Sequence, residues 1–190
     1  MRRNVYLYNS RFLFFVSFVV SAILNTSCAD CQVKEKIIAM QSEPIALRTD
    51  KMLCISEKDE SDIRGSLKWI VYHDSVICKP CQISHLSDWD KILDTEGVNC
   101  YFIFSAKPEE VGKYVDAYQN NKIDAHVYLD TANIFVHDNP KIPRETIFHD
   151  FLVDEDNSVI LVGNPINNKQ VLELFKKIVE ERKMSTKSKK

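Results

Sequence analysis

With 190 residues, 45% of them hydrophobic and only four glycines, the chain has the material for one modest domain with a real core, and it is no disulfide-stapled miniprotein. Its net charge is −2, and its one dense basic cluster is the tail Lys187, Lys189 and Lys190, so it carries no electrostatic footprint for nucleic acid.

In chain order, Arg2, Arg3 and Arg11 precede the apolar run 12–24, FLFFVSFVVSAIL, and small or polar residues lead into Cys28. That is the order of an export signal. The run has 13 residues, against roughly 20 for a bilayer-spanning helix, so residues 1–27 are predicted to be a signal peptide of the lipoprotein type. Its ending, LNTSC, resembles a lipobox: Thr26 and Ser27 suit the small-residue positions, and Leu24 lies one place further from Cys28 than in the usual pattern. Cys28 is then the lipid-attachment residue, which ties the mature protein to a membrane; ordinary cleavage near Ala22 or Ser27 is the alternative. Removing 1–27 takes three of the 25 basic residues and no acidic one, leaving a net charge of −5.

Residues 28–44, poor in apolar groups and ending at Pro44, read as a tether. Residues 45–66 read as an N-terminal extension, with one or two short strands over 45–55 and a polar turn region after them. From residue 67 the periodicity alternates regularly. LKWIVYH, 67–73, is a buried-strand candidate, and from Cys81 the positions Ile83, Leu86, Trp89 or Asp90, and Leu93 recur at helical spacing until Gly97. A strand is predicted over 98–104, then a helix opened by Pro108, Glu109 and Glu110, with Val111, Tyr114, Val115 and Tyr118 on its inner face. A strand at 125–129, an irregular proline-rich stretch, a hairpin about the turn 155–158 and a last helix follow; Val171, Leu174, Phe175, Ile178 and Val179 form that helix's inner face. The order predicts an α/β domain over 67–182, a central mixed sheet covered on both faces, with 183–190 as a basic tail.

An exported chain meets oxidising conditions, so each cysteine pair can be a staple, a metal site or a working dithiol. Cys28 and Cys31 are spaced C-x-x-C, but lipid on Cys28 would leave Cys31 without a mate. Cys54 and Cys100 sit in apolar surroundings and read as buried, inert thiols, with a bridge between them as the alternative. Cys78-Lys79-Pro80-Cys81 is different, because it falls where a buried strand hands over to a helix. A thiol at a helix N-terminus faces unpaired N–H groups and the positive end of the macrodipole, which favour thiolate. Cys78 is the expected nucleophile and Cys81, one turn inside, the resolving thiol; Lys79 adds positive charge and Pro80 restricts the turn.

A C-x-x-C at this junction, with proline before the second cysteine, resembles the thioredoxin motif. More narrowly, YHDSVICKPC, FLVDEDNSVILVGNPI and the closing helix resemble thioredoxin-like bacterial lipoproteins of the thiol-disulfide oxidoreductase and peroxiredoxin-related superfamily. The resemblance implies a thioredoxin-like three-layer α/β/α sandwich in the envelope of a Gram-negative bacterium, lipid-anchored and facing the periplasm. It implies a reductase without cofactor, acting on a disulfide-containing protein or small molecule and reset by an external electron donor. Three positions depart from the pattern. Ile77 replaces the aromatic residue before the first cysteine, Tyr72 stands where thioredoxins bury an acid, and Phe148 stands where a cis-proline is expected. No proton acceptor for Cys81 is therefore assigned; strand alternation lets at most one of His73 and Asp74 point toward the dithiol.

Two other functions fit the same residues. A thiol peroxidase would use SVIC, 75–78, with Ser75 in the threonine role, although Val71 replaces the expected proline and Arg144 is at no obvious supporting position. A binding module would keep Cys78 and Cys81 as a static bridge and place its partner contacts in residues 29–66. For zinc, Cys78 and Cys81 lack a second ligand pair at the usual offset, with His85 as the one nearby addition. His126, His137 and His149 show no pattern, and Asp154, Glu155 and Asp156 read as a turn.

Overall fold

The computed structural model describes residues 30–57, 67–74, 80–89, 92, 95, 97–121 and 123–187. The chain divides into two compact units, Met1–Ile38 and Ala39–Lys190. The first is described from Asp30 onward and is helical there, as the start of helix α1 (30–41). The second holds the sheet. The predicted signal peptide and Cys28 lie outside the described residues, and no helix among the described residues is long and apolar enough to cross a membrane.

Within the stretch read as a tether, residues 30–41 are helical, and at the far end of that helix Met40 is 1% exposed and Ile45 is buried with it. Met40 and Ile45 bracket a polar turn and are both buried, whereas Val33 and Ile38 of the same helix are exposed. Asn139 then fixes the extension: its Oδ1 accepts from Ala46 N at 2.8 Å, and its Nδ2 donates to Ala46 O at 2.9 Å and Phe135 O at 2.8 Å. The extension contributes one very short strand, β1 (Leu53–Cys54), after a 3-10 turn at Thr49–Lys51.

Five further strands complete the sheet: β2 (Leu67–His73), β3 (Val98–Ser105), β4 (His126–Asp130), β5 (Asp150–Val153) and β6 (Val159–Val162). Their order is β1-β4-β3-β2-β5-β6. β4, β3 and β2 run parallel, whereas β1, β5 and β6 are antiparallel to their neighbours. The central strands are near-continuous apolar runs because both of their faces are covered. Helices α2 (Val111–Asn120), α3 (Ile134–Asp138) and α4 (Lys169–Lys187) join them. This is an α/β thioredoxin-like fold, a mixed six-stranded sheet flanked by helices, as the sequence leads one to expect.

One face gathers Trp69, Val71, Phe102, Phe104, Leu129 and Leu152 with Ile83, Leu86, Trp89 and Ile92, and with Tyr114, Tyr118, Val171, Phe175 and Val179 from α2 and α4. Trp69 meets Phe175 edge-on at 5.1 Å and Trp89 at 6.2 Å. On the other face Tyr72 packs on Phe135 of α3 at 5.0 Å. The segment Pro80–Trp89 is 3-10 rather than α. With three residues per turn, Ile83, Leu86 and Trp89 fall on one line, and all three are buried. Ile92 is buried as well, and Leu93 lies outside the described residues. In α4 the buried set is Val171, Phe175 and Val179, four apart, while Leu174 is 51% exposed, against expectation.

Candidate active site

β2 ends at His73, and the helix that begins at Pro80 packs back over the face carrying Trp69 and Val71. Alternation puts His73 on that face and Tyr72 on the other. His73 stacks on Phe104, a member of the same core, with centroids 4.6 Å apart and planes 12° apart. Its Nε2 is buried with no hydrogen-bond partner. Burial, with nearby His149 as the second cause, pushes the imidazole down to about 4, so it is neutral at pH 7. Of His73 and Asp74, it is His73 that faces the helix carrying Cys81, as a half-buried ring.

A buried acid stands on this face of the sheet, on another strand. Asp150, the first residue of β5, stands opposite Val71 in the antiparallel β2–β5 ladder, two residues from the end of β2. Leu152 lies in the core under Pro80–Trp89, so alternation places Asp150 on that same face. Burial raises its carboxyl to about 6, partly offset by a 2.8 Å hydrogen bond from Asn164 Nδ2 to Asp150 Oδ2. Gly163 makes that bond geometrically possible. Its φ of 126° turns the chain after β6, its N–H donates to Asp150 O at 2.7 Å, and a Cβ there would meet Val171 Cγ2 at 3.0 Å. Sequence reading missed Asp150 because its partner strand lies about 80 residues away and antiparallel pairing leaves no local spacing to read.

A cleft of about 400 Å³ opens here, lined among others by His73, Asp74, Asp150, Asn164 and Ile147. On the other side of Thr146 and His149 a second cleft, of about 530 Å³, is lined by Tyr72, Phe135, Val136, Ile142, Pro143 and Arg144. Both lie at the end of β2 from which the C-x-x-C segment departs. His149 belongs to both walls: its ring meets Tyr72 at 5.1 Å, its Nε2 donates to Pro143 O at 3.0 Å, and its Nδ1 is buried without a partner. His149, without pattern in the sequence, thus joins His73 and Asp150 in space.

Cys78, Lys79, Ser75 and Ile77 lie outside the described residues, while Pro80 and Cys81 open the 3-10 helix. Phe148 occupies the position of the expected cis-proline, is buried, and no cis peptide bond occurs among the described residues. Cys100 is buried in β3, as expected. Cys54 is free and exposed in β1, against the buried reading, because β1 is an edge strand too short to be covered. The two do not bridge. Among the described residues no three histidines, cysteines or acids are grouped to hold a metal.

No protein-family model matches the chain, and no curated protein matches it in sequence. Solved structures are similar to it in fold. The thioredoxin domain of a thiol-disulfide oxidoreductase from Bacteroides vulgatus aligns over 63% of this chain and 84% of its own, with a TM-score of 0.44 and 15% identity. A second Bacteroides vulgatus protein, described as a thiol-disulfide oxidoreductase, aligns over 74% and 93%, with a TM-score of 0.49 and 11% identity. A thioredoxin-like protein from Porphyromonas gingivalis aligns over 62% and 75%, with a TM-score of 0.42 and 20% identity.

Proposed function

We propose that the protein is an envelope thiol-disulfide oxidoreductase working as a reductase through Cys78 and Cys81. The observation that carries the reading is Asp150: a carboxyl with a raised affinity for protons, on the sheet face covered by the helix that Pro80 and Cys81 open. Perturbed acids cluster at functional sites because burial that costs stability is retained where a proton must move.

The Cys78 thiolate attacks a disulfide sulfur of the client, forming a mixed disulfide and releasing the client's other sulfur as thiolate, which takes a proton from water. Asp150 accepts the Cys81 proton. The Cys81 thiolate then attacks Cys78 Sγ, the client's second sulfur leaves as thiolate, and Cys78–Cys81 becomes the disulfide. Two electrons pass from the dithiol to the client, and an external donor returns them. Neutral His73 adds a polarisable wall without a competing charge.

Thiol counting by mass spectrometry in glutathione and dithiothreitol redox buffers tests this. A reversible two-electron transition is expected toward the −270 mV end of the range from about −120 to −270 mV that working dithiols span. A transition near −120 mV would reverse the direction of electron flow, and none above roughly −300 mV would mean a static bridge. Envelope placement and lipid on Cys28 rest on the sequence of residues 1–28 and on an expected shift of Cys28→Ala from the membrane to the soluble fraction of a Gram-negative host.

A further inference from the structure

The cleft of about 530 Å³ has a chemistry the redox step does not use. Its floor is apolar, from Phe135, Val136, Ile142 and Pro143. At its rim Arg144 has no ion-pair or hydrogen-bond partner among the described residues, whereas Arg48, Lys141 and Arg182 are each paired with a carboxylate. His149 supplies the third element. Pro143 O can only accept, so in the neutral ring His149 Nε2 carries the proton toward it, and the unpartnered Nδ1 of this 4%-exposed ring is then an acceptor. An apolar floor, an unpaired cation and an unsatisfied acceptor together call for a ligand with an apolar side chain, a carboxylate and an N–H donor.

A polypeptide offers all three, and the surface around the cleft favours it over a small molecule. Val136, at the 530 Å³ cleft, is 45% exposed, and Ile147, at the 400 Å³ cleft, is 62% exposed, one on each side of Thr146. A compact ligand in one cleft would leave one of them in water, whereas an extended segment crossing Thr146 covers both. We infer that this cleft binds an extended segment of the client polypeptide, seating an apolar side chain between Phe135 and Ile142 and an acidic side chain against Arg144. The inference rests on the oxidoreductase reading for the identity of the client, but not for the binding.

The test uses fluorescein-labelled hexapeptides without cysteine, so a failed dithiol reading leaves it intact. One carries phenylalanine two residues before aspartate, a second has lysine for the aspartate, and a third has glycine for the phenylalanine. Fluorescence anisotropy with the mature protein is expected to rank the first above the lysine peptide by about threefold, the size of a rim ion pair, and above the glycine peptide by about tenfold or more. Arg144→Glu is expected to reverse the aspartate and lysine order, which a merely misfolded variant would not do. Val136→Asp is expected to weaken both phenylalanine-containing peptides and to leave the glycine peptide unchanged. Equal binding of all three peptides, no binding of any, or an unchanged order in Arg144→Glu overturns the inference.

Discussion

Asn164 donates its side-chain amide to the Asp150 carboxylate at 2.8 Å, and this bond only partly offsets the burial that raises the acid to about 6. The folded chain therefore holds the Asp150 proton more tightly than the unfolded chain, whose carboxyl titrates near 3.8. Between those values the folded state binds more protons, so this residue makes stability fall as pH rises from about 4 to about 6. The lost stability, up to about 3 kcal/mol, persists at pH 7. Asp150→Asn is expected to be more stable than the wild type at pH 7 while slowing reduction of a peptide disulfide. Urea unfolding at pH 7 and single-turnover kinetics give the two readouts, and a variant both less stable and fully active would remove Asp150 from the mechanism.

His73 has the opposite sign. Its folded value, about 4, lies below the ordinary 6.5, so the unfolded chain binds more protons in that window and stability rises with pH. The two slopes nearly cancel over the shared range. Wild-type stability is expected to change little between pH 4 and 6 on account of this pair. Asp150→Asn should unmask a rise of up to about 3 kcal/mol, and His73→Phe a fall of similar size. Unfolding curves of the three proteins at half-unit pH intervals would show it; parallel curves would mean that one of the groups is solvated.

Much of this fold is legible in the sequence because it rests on local signals. LKWIVYH is apolar on both alternations, so it reads as a central strand, and it lies between β3 and β5. The last helix is legible as a helix, though Leu174 shows that an apolar residue at nearly the right angle can still miss the core. What escapes local reading is pairing across distance. Asp150 opposite Val71, Asn139 holding Ala46, and His149 between two clefts are each made by residues whose neighbours in the chain give no hint of their neighbours in space. Of the candidate site, the sequence offers the C-x-x-C by its spacing, with Cys78 outside the described residues, while the groups facing the helix that Cys81 opens have no local signal.

Lys68 tests how the hairpin is held to β2. It is only 6% exposed, and its Nζ donates to Asn157 Oδ1 at 2.8 Å, Glu155 O at 3.2 Å and Asp154 O at 3.4 Å. Burial lowers its affinity for a proton, against the raising effects of Asp154, Glu155 and Asp156. Because the folded value is below 10.5, stability is expected to rise as pH climbs toward 10.5. Lys68→Met should abolish that rise, cost about 1–3 kcal/mol at pH 7 through the acceptors left without a donor, and speed amide exchange in the turn 154–158. An unchanged pH slope in the variant would assign the effect to other groups.

Asp130 supports the wall of the larger cleft. It is 1% exposed at the end of β4, and its carboxylate accepts from Ile134 N at 2.9 Å, Phe135 N at 2.8 Å and Ala132 N at 3.3 Å. These are the donors that a short helix leaves open at its N-terminus, and Asn133, with a φ of 54°, turns the chain so that one side chain reaches all three. Asp130→Ala would strand them in a buried place and is expected to cost about 2–3 kcal/mol. α3 carries Phe135 and Val136, so the same variant should weaken the phenylalanine peptide more than Lys68→Met does at matched stability. Asp130→Asn keeps an acceptor oxygen and should recover part of both losses. If Asp130→Ala lowered stability yet bound the peptide as tightly as the wild type, α3 would not be the wall that holds the ligand.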